Sequence, residues 1–89
     1  MDKILLSLVI PTYNCEKYIE ECLHSVLSQL PLNCELILVD DGSSDATCSV
    51  LEPFRNAHKN LTIIKKEHKG ASAARNTGLL AARGEFVSL

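Results

Sequence analysis

Four short apolar runs alternate with three stretches of helical pattern along this chain. The runs cover residues 6–10, 36–39, 61–64 and 86–89. Strands that alternate with helices form a parallel sheet with right-handed crossover connections. The run at 36–39 is continuously apolar, as is typical of a strand covered by helices on both sides. The sequence therefore predicts a single α/β domain with a mostly parallel sheet.

The first helical stretch has an apolar stripe with charged residues on its other face, so we expect it to pack on the sheet. Asn14 precedes the stripe as a candidate N-cap, and Pro31 closes the helix. Pro11 is expected to end the strand before it. The apolar positions are Cys15, Tyr18, Ile19, Cys22, Leu23, Val26, Leu27 and Leu30.

The two later helices have their own boundary signals. The second is predicted to start at Ser43 or Ser44 and to end or kink at Pro53. The third is predicted over residues 71–83, with Gly84 as a left-handed cap. Gly78 is a poor helix former, and we interpret it as a point of close approach to the sheet.

Polar groups follow the strands at the point where each one ends. Tyr13 follows the first strand, Asp40 and Asp41 the second, and residues 67–70 the third. Parallel strands deliver these groups to one edge of the sheet, where open α/β sheets bind ligands. A solvated turn is the simpler interpretation of the acidic pair, because Asp and Gly are ordinary turn residues. Both interpretations stay open on this stretch alone.

Composition and spacing exclude several functions. The formal net charge of −2 over 89 residues gives no general attraction to nucleic acid. The segment "PTYNCEKY" after the first strand lacks the glycines of a dinucleotide-binding turn. No two cysteines have the C-x-x-C spacing of metal sites, which favours reduced structural thiols over zinc. The three histidines show no pairing, and each is expected at the surface.

The N-terminal apolar run is not a secretory signal by its pattern. The first three residues carry no net positive charge, and no small-residue cleavage site follows. The run is also too short to span a bilayer. We therefore expect a buried strand in a cytoplasmic protein without a transmembrane segment.

Three segments resemble the opening of family 2 glycosyltransferases of the GT-A fold. They are "SLVIPTYN", "LVDDGSSDAT" and "KGASAARNTGLLAARGEFVSL", and in this order they cover the chain from Ser7 to Leu89. The resemblance implies a Rossmann-like three-layer sandwich, here truncated after the fourth strand. It also implies a nucleotide-sugar donor, most often a UDP-sugar, whose sugar passes to an acceptor hydroxyl with inversion during cell-surface polysaccharide biosynthesis.

The resemblance also assigns roles to single residues. Pro11, Thr12 and Tyr13 match the segment that lines the base. Asp41 matches the carboxylate that accepts a hydrogen bond from the uracil ring N–H, which suits an acceptor-only group. Asp40 is expected to hold the turn, or else to contact ribose or metal.

Arg75, in "ARNTG", is placed by the resemblance near the ribose and diphosphate, where a guanidinium suits phosphate oxygens. The alternative is a surface arginine on a short helix. In the family, a D-x-D-type motif that holds Mn²⁺ or Mg²⁺ directly follows the strand matched by "EFVSL". The resemblance thus implies the N-terminal part of a longer enzyme, inactive alone, with no catalytic or metal-binding residue of its own. The full-length enzyme is expected in the cytoplasm, where it can associate with the inner face of the membrane.

A noncatalytic α/β module is the competing interpretation. Such a module would bind a partner through the same edge, or would dimerise through the unfinished sheet. A bare fourth strand presents unpaired backbone groups, so self-association is expected.

Overall fold

The computed structural model describes residues 3–55 and 57–88. The described chain runs through β1 (Leu6–Thr12), α1 (Ile19–Gln29), β2 (Cys34–Asp40), α2 (Thr47–Leu51), a 3₁₀ turn (Glu52–Phe54), β3 (Leu61–Lys65), α3 (Ala71–Ala81) and β4 (Phe86–Ser88). The strands pair in parallel in the order β3-β2-β1-β4. The predicted α/β fold with a parallel sheet is confirmed. Leu89, which the fourth predicted strand included, lies outside the described residues.

Helices cover both faces of the sheet, which gives three layers. Leu36 of β2 packs with Leu23 of α1 in the core on one face. The next residue, Ile37, packs with Ala74 of α3 on the opposite face, because successive strand residues point to opposite sides. Every residue of β2 is buried, as its continuous apolar run predicts. No helix of the described chain is long and apolar enough to cross a membrane.

Two glycines let α3 and the following segment approach β1. A Cβ on Gly78 would lie 2.3 Å from Cγ1 of Val9, so the predicted close approach is confirmed. The prediction of a left-handed cap at Gly84 is wrong, because α3 ends at Ala81 and the φ of Gly84 is outside that region. A Cβ on Gly84 would lie 2.7 Å from the backbone nitrogen of Ser7, so this glycine also serves close packing.

The first helix begins later than predicted, at Ile19 instead of directly after Asn14. Asn14 has a φ of 49°, and its Oδ1 accepts the backbone N–H of Ser44 at 2.8 Å. This side chain therefore joins two loops and does not cap its own helix. Tyr18 and Cys22, predicted on the packing face, are exposed.

The second helix begins at Thr47, so the predicted start at Ser43 or Ser44 is wrong. Oδ1 of Asp45 accepts the N–H of Thr47 at 2.9 Å, and the residues before it form a turn. The helix ends ahead of Pro53, as predicted, and the proline lies in the 3₁₀ turn that follows.

The strand β1 continues through Pro11, so the prediction that this proline ends it is wrong. The carbonyl of Thr12 accepts the N–H of Asp41 on the β2 side, at 2.9 Å. The nitrogen of Pro11 therefore faces the other side of β1. On that side, β4 pairs with β1 only from Leu6 to Leu8. The N–H that Pro11 lacks is therefore not needed for a hydrogen bond between described strands.

Candidate functional site

A cleft of about 250 Å³ opens at the carboxyl edge of the sheet, between the end of β1 and the start of α3. Its lining residues are Pro11, Thr12, Tyr13, Asp41, His68, Gly70 and Ala71. Four of the six predicted site residues are thus brought together: Pro11, Thr12, Tyr13 and Asp41. They meet because β1 and β2 are parallel neighbours that end at the same edge.

The carboxylate of Asp41 is buried and is held by the backbone at the start of α3. Its Oδ1 accepts the N–H of Lys69 at 2.9 Å, and its Oδ2 accepts the N–H of Gly70 at 3.0 Å. The ammonium of Lys66 lies 3.6 Å from Oδ1. The Lys69 N–H is the strongest of the influences that hold the pKa of Asp41 below its ordinary value. A fixed negative charge therefore stands in the cleft at neutral pH.

The ring of Tyr13 stands beside this charge, with 45% of the residue exposed. It stacks on the imidazole of His68, with 4.3 Å between ring centroids and 22° between the planes. Nδ1 of His68 lies 2.9 Å from Oδ2 of Asp41. The three side chains form one cluster of an aromatic ring, an imidazole and a carboxylate.

His68 is the site residue that the sequence interpretation missed. The expectation of a surface position is confirmed, since the side chain is 56% exposed, but the expectation of no pairing is wrong, because His68 contacts both Tyr13 and Asp41. The available signal was its place after the third strand, at the edge that the other two residues share.

Asp40 is fully buried and does not line the cleft. Its carboxylate accepts the hydroxyls of Thr12 at 3.0 Å and Ser43 at 2.6 Å, the Ser43 N–H at 3.0 Å and the Cys48 thiol at 3.3 Å. Burial raises the pKa of Asp40, but these hydrogen bonds outweigh it and leave the pKa below its ordinary value. These contacts favour the turn-holding interpretation of Asp40.

Arg75 lies one turn inside α3 with an exposed side chain, and it does not line the cleft. The helix that carries it begins at the cleft, where Gly70 and Ala71 form part of the wall. The structure thus places Arg75 on α3 and does not bring it into the cluster.

The two described aspartates at this edge, Asp40 and Asp41, do not fit a divalent cation. Mg²⁺ and Mn²⁺ require several oxygen ligands, and the oxygens of Asp40 and Asp41 accept hydrogen bonds from the protein. The ammonium of Lys66 would also repel a cation at Asp41. Within residues 3–55 and 57–88, no group of three His, Cys, Asp or Glu side chains is arranged to hold a metal ion.

Comparisons with known proteins agree with this architecture. The model of the family described as Glycosyl transferase family 2 matches residues 7–89. The minor teichoic acid biosynthesis protein GgaA of Bacillus subtilis is 43% identical over 89 aligned positions, which cover 93% of this chain and 20% of that protein. The chain spans between 12% and 36% of the length of the curated relatives compared with it.

Two solved structures superpose closely on the chain. The mannosyltransferase PcManGT from Pyrobaculum calidifontis, in complex with GDP-Man and Mn²⁺, has a TM-score of 0.83 and 33% identity, covering 96% of this chain and 26% of its own. TarS residues 1–349 of S. aureus, in complex with UDP-GlcNAc, has a TM-score of 0.79 and 40% identity, covering 93% of this chain and 25% of its own.

Proposed function

The chain belongs to glycosyl transferase family 2, and from that premise we propose that its cleft binds the nucleotide of a nucleotide-sugar donor. One observation carries the proposal. The half-exposed aromatic ring of Tyr13 lines the same cleft as the charged carboxylate of Asp41, which the start of α3 fixes in place. A flat ring and an acceptor-only group are together suited to a planar base that carries an N–H donor.

The proposed donor is a UDP-sugar. Uracil offers a single ring N–H, whereas guanine offers a ring N–H and a neighbouring amino group. Oδ1 of Asp41 already accepts the Lys69 N–H and faces the Lys66 ammonium, and Oδ2 accepts the Gly70 N–H. A carboxylate that already accepts these hydrogen bonds suits one further N–H group better than two. Similar proteins bind either base, since one structure holds UDP-GlcNAc and another GDP-Man.

The remaining predicted residues have supporting roles in the proposal. Pro11 and Thr12 form the wall beside the base. Asp40 acts through the turn, by holding the Thr12 hydroxyl and Ser43. Arg75 faces the ribose and diphosphate, a role supported by its exposed position on the helix that begins at the cleft.

The whole protein is proposed to transfer the sugar to an acceptor hydroxyl with inversion, in the synthesis of a cell-surface polysaccharide. Support comes from the family and from relatives such as the teichoic acid protein GgaA. We place this reaction in the cytoplasm, at the inner face of the membrane. The described residues contribute donor recognition, and the proposal assigns them no general base and no metal-dependent step.

A noncatalytic module that associates with itself is the second candidate. The exposed side chains of β4 favour it, because Phe86 is 64% exposed and Val87 is 38% exposed. Nucleotide binding at the cleft distinguishes the two candidates.

Titration of UDP and GDP into the chain by calorimetry tests the proposal. We expect UDP to bind with roughly 4 to 6 kcal/mol, a Kd in the high micromolar to millimolar range, and GDP to bind more weakly. Tyr13→Ala and Asp41→Asn are expected to weaken UDP binding at least about fivefold, through loss of stacking and of the charged acceptor. Glu21→Gln, which changes an exposed carboxylate on α1, is the matched control and should have no effect.

Two outcomes would contradict the proposal. Unchanged UDP affinity in a folded Tyr13→Ala variant would mean that the base does not bind in this cleft. A tightening of more than about tenfold on addition of Mn²⁺ would mean that the chain holds a metal against the diphosphate, with Asp40 the first residue to test.

A further inference from the structure

The imidazole of His68 makes the same two kinds of contact that the proposed base needs. It stacks on Tyr13, with 4.3 Å between centroids and 22° between planes. Its Nδ1 lies 2.9 Å from Oδ2 of Asp41 and 3.1 Å from the carbonyl oxygen of the same residue. A planar ring with an N–H directed at the carboxylate thus already fills the position between the tyrosine and the acid.

We propose that His68 is an autoinhibitory residue that occupies the base position in the free protein and is displaced when a nucleotide binds. The inference rests on the proposed function, because it assumes that a base binds at Tyr13 and Asp41. The Tyr13 and His68 rings are in direct contact, so no ring can enter between them. A base that stacks on the face of Tyr13 covered by His68 and donates to Asp41 must therefore take the place of the imidazole.

The surroundings of His68 allow its side chain to leave while the rest of the cleft stays in place. The side chain is 56% exposed, so a rotation toward solvent is open to it. Its backbone is fixed, because a Cβ on Gly42 would lie 2.6 Å from the His68 nitrogen. Asp41 keeps its own anchors, the N–H groups of Lys69 and Gly70. Displacement is thus a change of one side chain and requires no movement of the segment.

This exchange affects different ligands differently. A base that stacks and donates an N–H replaces both contacts of His68. A sugar phosphate without a base replaces neither of them, so it gains nothing from the cluster. His68 accordingly lowers the affinity for nucleotides whose base takes its position, whereas a ligand that binds through phosphate alone need not displace it.

The test is a UDP titration of His68→Ala, followed by calorimetry and by NMR of the histidine ring signals. We expect UDP to bind His68→Ala at least about threefold more tightly than it binds the wild type, because the competing stacked pair is gone. In the wild type, UDP should shift the His68 ring signals toward those of an exposed histidine. His58→Ala is the matched control, since His58 is exposed, precedes β3 and lies at the opposite edge of the sheet.

Weaker UDP binding by His68→Ala would overturn the inference, since His68 would then be a wall of the base site. The proposed function would stand in that case. If neither the wild type nor any variant binds UDP, both the inference about His68 and the proposed function are overturned. If His68→Ala does not fold, His68→Ser gives the same comparison, because serine also lacks the ring.

Discussion

Glu35 and Arg83 are joined by three hydrogen bonds at the amino edge of the sheet. Oε2 of Glu35 accepts the backbone N–H of Arg83 at 2.8 Å, and Oε1 accepts Nε at 3.2 Å and Nη2 at 3.0 Å. The Ser7 hydroxyl donates to the same carboxylate at 2.5 Å and accepts the Gly84 N–H at 2.8 Å. This polar network connects β1, β2 and the segment between α3 and β4.

The network predicts unequal effects for its two charged residues. Glu35 is 1% exposed, so Glu35→Ala leaves a buried hydroxyl and a backbone N–H without their acceptor and should cost about 2 to 4 kcal/mol. The Arg83 side chain is 64% exposed, and Arg83→Ala keeps the backbone bond, so it should cost about 1 kcal/mol or less. Urea unfolding measures both. Equal losses of unfolding free energy in the two variants would contradict the conclusion that the Glu35 carboxylate holds the network together.

Acid should destabilise the fold. Burial raises the pKa of Glu35, but the bonds from Ser7 and Arg83 outweigh it, and the pKa lies below its ordinary value. The pKa values of Asp40 and Asp41 are also lowered. The unfolded chain therefore takes up protons first, near pH 4, and stability is lost as the pH falls from there toward the folded-state values.

Urea titrations between pH 7 and pH 3 measure this loss. We expect a flat free energy of unfolding at neutral pH and a steady decrease below about pH 4.5. Glu35→Gln, which cannot titrate, should show a shallower decrease than the wild type. A free energy of unfolding that is constant down to pH 3 would rule out the native hydrogen bonds of these carboxylates.

Gly78→Ala should destabilise the protein, although alanine is the better helix former by about 1 kcal/mol. The new Cβ would overlap with Val9, at 2.3 Å from its Cγ1, and overpacking of this kind costs about 1 to 3 kcal/mol. Ser72→Ala, at an exposed position of the same helix, is the matched control. The double variant with Val9→Ala should be less destabilised than the sum of the single variants. Strict additivity would mean that the helix shifts instead.

The chain should associate through β4. Within the described residues this strand is a border of the sheet, and its backbone faces no further strand. Sedimentation should show dimers or larger species as concentration rises. Val87→Lys on the strand should reduce the association, whereas Leu80→Lys, which removes an exposed apolar residue from α3, should not. A clean monomer up to the millimolar range would refute the prediction.

The sequence predicts the order of helices and strands well, because that order follows from local pattern. It also predicts the sheet edge at which the site residues meet, because parallel strands end at the same edge. Tyr13 and Asp41 directly follow neighbouring parallel strands, so they come to the same edge of the sheet. Asp40 and Asp41 separate because successive strand residues point to opposite sides. Asp40 turns to the loop before α2, and Asp41 turns to the start of α3.

Contacts between distant loops could not be predicted from local pattern. Asn14 has the sequence signature of a helix cap, yet it bonds to Ser44 because the fold brings the second loop within reach. The place of His68 after the third strand indicates only that it lies at the shared edge, and its contact with Tyr13 appears only in the folded structure. The buried network of Glu35 is equally nonlocal, since its partner Arg83 is 48 positions away.

The hydrogen bond from Gly84 to Ser7 also has a kinetic consequence. It closes a loop of 77 positions, whereas β1, β2 and β3 follow one another through shorter crossovers. Closing a long loop carries an entropic penalty before its contacts form. We therefore expect the C-terminal segment to dock after the folding transition state. Substitutions at Gly84 should therefore accelerate unfolding and leave the refolding rate nearly unchanged, whereas substitutions in β2 should slow refolding.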